Sequence, residues 1–206
     1  MGLDCVPVGL PKPGFEKAWA KIVGMVEAGE DIGENEAEEF SENTFMACEM
    51  LDAPIVGKDD SANKWAIENL GRAPGETDAE LIARVSGYRA LDLIAEHCDG
   101  ISKYSAAGLG WVDETSLRGE FFRDCEDVLP VNVAERPWTS MTSDEAVAFG
   151  RTLQNIVVDL RAEHGDIAPD PDTDEFEIAD KIDFLDSAAR WYTFWGSRGH
   201  PIEADF

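Results

Sequence analysis

The chain has 206 residues, with 43 Asp or Glu against 17 Lys or Arg and a formal charge of −26. A field of that sign repels phosphate backbones and anionic bilayers, so direct nucleic-acid or membrane binding is not expected. With 44% hydrophobic residues the chain can build a core, and its length predicts one acidic domain over 1–206 rather than two.

No stretch approaches the roughly 18 apolar residues of a membrane span. The first residues, MGLDCVPVGLPKPG, lack the basic and apolar regions of a secretory signal, and Val6 stands where a myristoylation site needs Ser or Thr. A cytoplasmic protein is expected. Cys5, Cys48, Cys98 and Cys125 form no C-x-x-C pair, so reduced, buried thiols are expected rather than a zinc ribbon.

Residues 1–13 read as extended, because Pro11 and Pro13 bar a helix before Gly14. Phe15, Trp19, Ile22 and Val26 then mark an amphipathic helix closed by Gly29. A second helix is predicted over 34–51, with Phe40, Thr44, Ala47 and Leu51 inward and Glu38, Glu39, Glu42, Glu49 and Asp52 forming an acidic face. Ser61 is placed as the cap of a short helix ending at Gly71. The capping box at Thr77–Glu80 opens a helix whose stripe (Leu81, Val85, Tyr88, Leu91, Ala95, Cys98) runs to Gly100.

A long glycine-containing connection reaches residue 113, and connections of that length are often functional. A helix over 117–128 is expected next, then a short strand at 131–133 that could pair with residues 3–8. A second capping box at Thr142–Glu145 opens the most regular stripe: Ala146, Phe149, Leu153, Ile156 and Leu160. The last helix, about 174–195, carries two adjacent apolar stripes, one on Ile182, Leu185 and Tyr192 and one on Phe184, Trp191 and Trp195. Such a helix is central to a core or covered by another chain. The core, hence a monomer rather than a homodimer, is the preferred reading. Residues 196–206 read as a loose tail. The expected fold is mainly α, an irregular bundle of about six or seven helices with at most a small β element.

Four groups of residues could carry chemistry. Glu38-Glu39-x-x-Glu42 followed by Glu49-x-x-Asp52 resembles the magnesium-binding strings of the all-helical nucleotide pyrophosphohydrolases. That resemblance implies a divalent cation held against a substrate's phosphates. In that family the strings lie on two antiparallel helices. Here six residues separate them, so on one helix Glu38 and Asp52 would lie about 21 Å apart, and a solvated acidic face explains the same residues. Asp170-x-Asp172-x-Asp174 resembles the start of a calcium loop, but Glu175 stands where that loop needs Gly and Lys181 where it needs a bidentate Glu. Asp174 as a helix cap is the better account.

His97, Cys98 and Asp99 could contribute soft-metal ligands with Cys5 or Cys125, or a Cys–His nucleophile pair. Neighbours on a helix point about 100° apart, however, and Cys98 lies on the apolar stripe as a core thiol. Arg118 and Arg123 follow the long connection. Internal pairing with Glu114 or Asp127 competes there with an anion pocket that includes Tyr104 and Trp111. Gly119 inside a helix would cost about 1 kcal/mol, which hints at close packing. The pocket candidates are therefore His97, Cys98, Tyr104, Trp111, Arg118 and Asp124.

No resident cofactor is expected beyond a divalent cation at the acidic strings. The favoured function is a non-enzymatic interaction protein of prokaryotic or viral type that binds a basic partner, one form of which is nucleic-acid mimicry. The alternatives are a metal-dependent hydrolase of a phosphorylated small molecule, and acidity as salt adaptation with function in a pocket around 97–125. A mimic spreads its carboxylates over an open surface, whereas a hydrolase gathers three or four in a cleft.

Overall fold

A computed structural model describes residues 2–45, 47, 54–87, 116–168 and 176–205. In chain order the elements are β1 (Asp4–Pro7), β2 (Leu10–Pro11), α1 (Glu16–Glu27), α2 (Glu34–Asn43), β3 (Thr44–Phe45), α3 (Asp60–Asn69) and α4 (Asp78–Arg84). They continue with β4 (Leu117–Arg118), α5 (Phe121–Asp124), α6 (Val131–Ala134), a 3-10 turn (Arg136–Trp138), α7 (Ser143–His164), α8 (Ile178–Ser197) and β5 (Ile202–Asp205). The protein is mainly α with a small β element.

The centre is the antiparallel pair α7 and α8. Both apolar stripes of α8 are buried: Ile182, Leu185 and Tyr192 on one, Phe184, Trp191 and Trp195 on the other. Phe149 of α7 meets Tyr192 edge to face with ring centroids 4.8 Å apart, and Phe122 of α5 meets Phe184 at 5.0 Å. Such rings contribute more than their area because each positive edge faces a negative face. Two glycines set the spacing of the pair. A Cβ on Gly196 would lie 2.7 Å from the Ser143 carbonyl oxygen, and one on Gly150 would lie 2.8 Å from that of Ala189.

Both capping boxes form as the sequence indicates. Glu80 N–H donates to Thr77 Oγ1 at 3.4 Å and Glu145 N–H to Thr142 Oγ1 at 3.2 Å, while each threonine N–H donates back to the glutamate carboxylate at 2.9 Å. Helix α7 also ends at Gly165, as expected, with φ +86°.

The β element differs from expectation. Residues 131–133 form a helical turn, because the Pro130 carbonyl accepts from Val133 and Ala134 N–H at 2.8 and 3.0 Å and local bonding replaces pairing. The sheet has the order β4-β1-β5, all antiparallel, with Cys5 opposite Leu117 and Ala204. Part of the expected loose tail is therefore ordered as β5, and its first two residues, Gly196 and Ser197, end α8. His200 and Pro201 are buried, and the Pro201 carbonyl accepts from Val8 N–H at 2.8 Å.

Three helices are shorter than their patterns suggest. The helix expected over 117–128 begins as β4, and only Phe121–Asp124 is helical. Gly119 sits at the turn between them, where a Cβ would come within 2.7 Å of the Leu3 side chain and 2.9 Å of Cys5 Sγ. The expected close packing is present, outside a helix. Helix α2 stops at Asn43 because Thr44 turns extended, donates its hydroxyl to the Phe40 carbonyl at 2.8 Å and pairs with Pro11. Helix α4 stops at Arg84, and Gly87 with φ +96° gives its N–H to Val56. The rest of its stripe, from Tyr88 to Cys98, lies outside the described residues. Asp59, rather than Ser61, is the residue preceding α3.

Candidate functional site

The expected pocket around 97–125 is described only at its C-terminal end. His97, Cys98, Asp99, Tyr104, Trp111 and Glu114 lie outside the described residues, as do Glu49, Leu51, Asp52 and the acids of 170–175. Arg118 extends from β4 toward Asp4 of the neighbouring strand, 3.9 Å away, while Asp127 is taken by Lys181 Nζ at 2.8 Å. Arg123 stacks its guanidinium 4.2 Å above the Trp138 ring. Asp124, on α5, is exposed. Cys5 and Cys125 are buried free thiols, each pushed up to about 12 by desolvation. Neither is a ready nucleophile or metal ligand in that state.

The acidic face is clearer. Helix α2 buries none of its residues, and Glu34, Glu38, Glu39 and Glu42 are all exposed. Glu36 alone on this helix has a side-chain ion pair among the described residues, with Lys21 at 2.9 Å. No three His, Cys, Asp or Glu side chains gather to hold a metal ion among the described residues. None of the described helices is long and apolar enough to cross a membrane.

The structure also forms a cavity that the motifs did not announce. Helix α1 buries Ile22 and Val23 below, the chain reverses at Gly29, and α2 returns alongside to bring Phe40 over the gap. Strand β5 closes the far side with Ile202. The space enclosed is about 160 Å³, lined chiefly by Ile22, Val23, Val26, Ile32, Phe40 and Ile202. It opens into a wetter cleft of about 560 Å³ along residues 26–32 and Trp138, Thr139 and Ser140.

Glu27 and Glu203 line both spaces. Both side chains reach solvent, yet desolvation beside the apolar wall raises each carboxyl above the usual range. The next cause is a like charge in both cases, Glu145 acting on Glu27 and Asp205 on Glu203. Neither glutamate has an ion-pair partner among the described residues. Sequence reading missed this site because Ile202 and Glu203, which close it, lie far along the chain from the α1–α2 turn. The signal present was Ile22 and Val26 on α1, two members of the apolar stripe, with Glu27 directly after them.

A second cleft, of about 400 Å³, runs along α7 and α8 past Arg151, Arg190 and Arg198. Two of these arginines already serve the fold. Arg190 lies 3.6 Å from Asp186, and Arg198 stacks 3.5 Å from the centre of the Phe194 ring. Comparison of the chain with protein-family models, with curated proteins and with solved structures finds no match in any of the three.

Proposed function

We propose that this is a non-enzymatic interaction protein whose acidic surface binds a basic partner. The observation that carries this reading is the way its carboxylates are dispersed. On α2 the side chains of Glu34, Glu38 and Glu42 recur once per turn, about 6 Å apart along the axis. None of the three carboxylates is in an ion pair among the described residues, the nearby Lys12 donating instead to the Glu42 main-chain carbonyl. Spread acids of this kind attract an extended basic surface, accelerate encounter and lose strength as salt is added. A metal-dependent hydrolase needs the opposite, three or four carboxylates gathered around a cation. Nucleic-acid mimicry is one form of the proposed function, in which these acids occupy phosphate positions on a DNA-binding protein.

The test is binding of a fluorescent Arg- and Lys-rich peptide, followed by anisotropy from low to physiological salt. Saturable binding that weakens steadily with salt is expected, as is no saturable response to Mg2+ or Mn2+. Saturable metal binding without peptide binding would favour the hydrolase. Unfolding on removal of salt, again without peptide binding, would make the acidity an adaptation to a salty medium.

A further inference from the structure

The cavity between α1, α2 and β5 has two properties that together describe an occupant. Its walls are aliphatic and aromatic, and its volume of about 160 Å³ matches one side chain. An apolar cavity of about 150 Å³ is large enough to hold benzene. At its mouth stand Glu27 and Glu203, each pressed by another carboxylate and neither supplied with a cation by the described residues. The wetter cleft beyond them adds Glu30 and Asp31. A neutral apolar ligand would fill the cavity and leave the mouth uncompensated, and a bare polycation would do the reverse.

Building on the basic-partner reading, we propose that this cavity seats one leucine- or phenylalanine-sized side chain of the partner segment, while Glu27 and Glu203 receive an adjacent Arg or Lys. The acidic face of α2 then supplies attraction at long range, and the cavity supplies register. A partner segment would be recognised by an apolar anchor set among basic residues rather than by charge alone. This division of labour is common at interfaces, where a buried anchor decides affinity and rim charges decide the encounter rate.

Two labelled peptides of identical charge test the idea, one with Leu among arginines and one with Ser in its place. The Leu peptide should bind about tenfold tighter or more, the expected return for burying one such side chain. Ala37→Phe, at an exposed position lining the cavity, should bring the Leu peptide down to the level of the Ser peptide. The double variant Glu27→Gln, Glu203→Gln should weaken both peptides about tenfold, by removing two charge-assisted contacts. Glu38→Gln with Glu39→Gln, on the outer face of α2, should weaken both peptides alike and preserve their ratio. Equal binding of the two peptides, unmoved by Ala37→Phe, would overturn the cavity assignment and leave the basic-partner reading standing. Failure of both peptides to bind at low salt would remove that reading and this assignment together.

Discussion

Tyr192 donates its hydroxyl hydrogen to the Sγ of Cys5 across 3.1 Å, joining the last helix to the first strand. Both groups are fully buried, and desolvation raises both above their ordinary ionisation ranges. Cys5 and Cys125 should therefore resist thiol reagents in the native protein and react only on unfolding. Peptide mapping after a brief alkylation pulse reads each position. Rapid labelling of Cys5 under native conditions would mean that the sheet opens far more readily than its packing implies.

Thr77→Ala and Thr142→Ala should each cost about 1 kcal/mol, since each removes the acceptor of one end-of-helix N–H. Denaturant midpoints at constant m-value measure the loss. The Thr142 variant should show the larger effect, because α7 is a wall of the main core and α4 packs on a smaller cluster of Val56, Ala62, Ala66 and Val85.

Gly196→Ala should destabilise by about 1–3 kcal/mol, the usual range for overpacking. Its new methyl would meet backbone atoms of Ser143 and Val147, and these cannot rotate away as a side chain can. Calorimetry against wild type gives the change; an unaltered melting temperature would show that the helices slide apart without penalty.

Glu203→Gln should stabilise the protein at neutral pH. The folded-state pKa of Glu203 is raised, so between the unfolded and folded values the native state holds more of a proton than the unfolded chain. Stability from this group is thus present at low pH and lost as pH rises through that window. The variant's advantage should be full at pH 7 and vanish below the ordinary glutamate range. An advantage independent of pH would point to strand pairing instead of charge.

Trp195→Glu should unfold or severely weaken the chain rather than convert a dimer to monomers. Trp195 is 2% exposed, and Glu there would bury an unpaired charge. Sedimentation of the wild type at micromolar concentration should give a monomer. A wild-type dimer, with a folded monomeric variant, would show that another chain covers this helix.

Where pattern and chemistry agreed locally, the sequence was readable. Thr142, Glu145 and the stripe from Ala146 to Leu160 defined α7 almost to the residue, and the doubled stripe of α8 announced a buried helix. Leu117, Phe121 and Cys125 misled because apolar residues four apart also suit a strand followed by a tight turn. What decided the matter was Gly119 against Leu3 and Cys5, a contact made across more than a hundred residues. Ile202 and Ala204 were similarly opaque, since a four-residue edge strand has no periodicity to recognise. The cavity inherited the second difficulty, because Ile202 and Glu203 of β5 close a space that begins on the neighbouring helices α1 and α2.

Strand β1 lies between partners at residues 117–118 and 202–205. During synthesis it leaves the ribosome long before either exists, and at about 5–20 residues per second its second neighbour arrives some ten to forty seconds later. Until then its edges are open and Leu3 and Cys5 have no lid, a state that invites pairing with foreign strands. The delay makes residues 202–205 the latch of this sheet. Nascent chains that stop short of β5 should be the ones that chaperones hold.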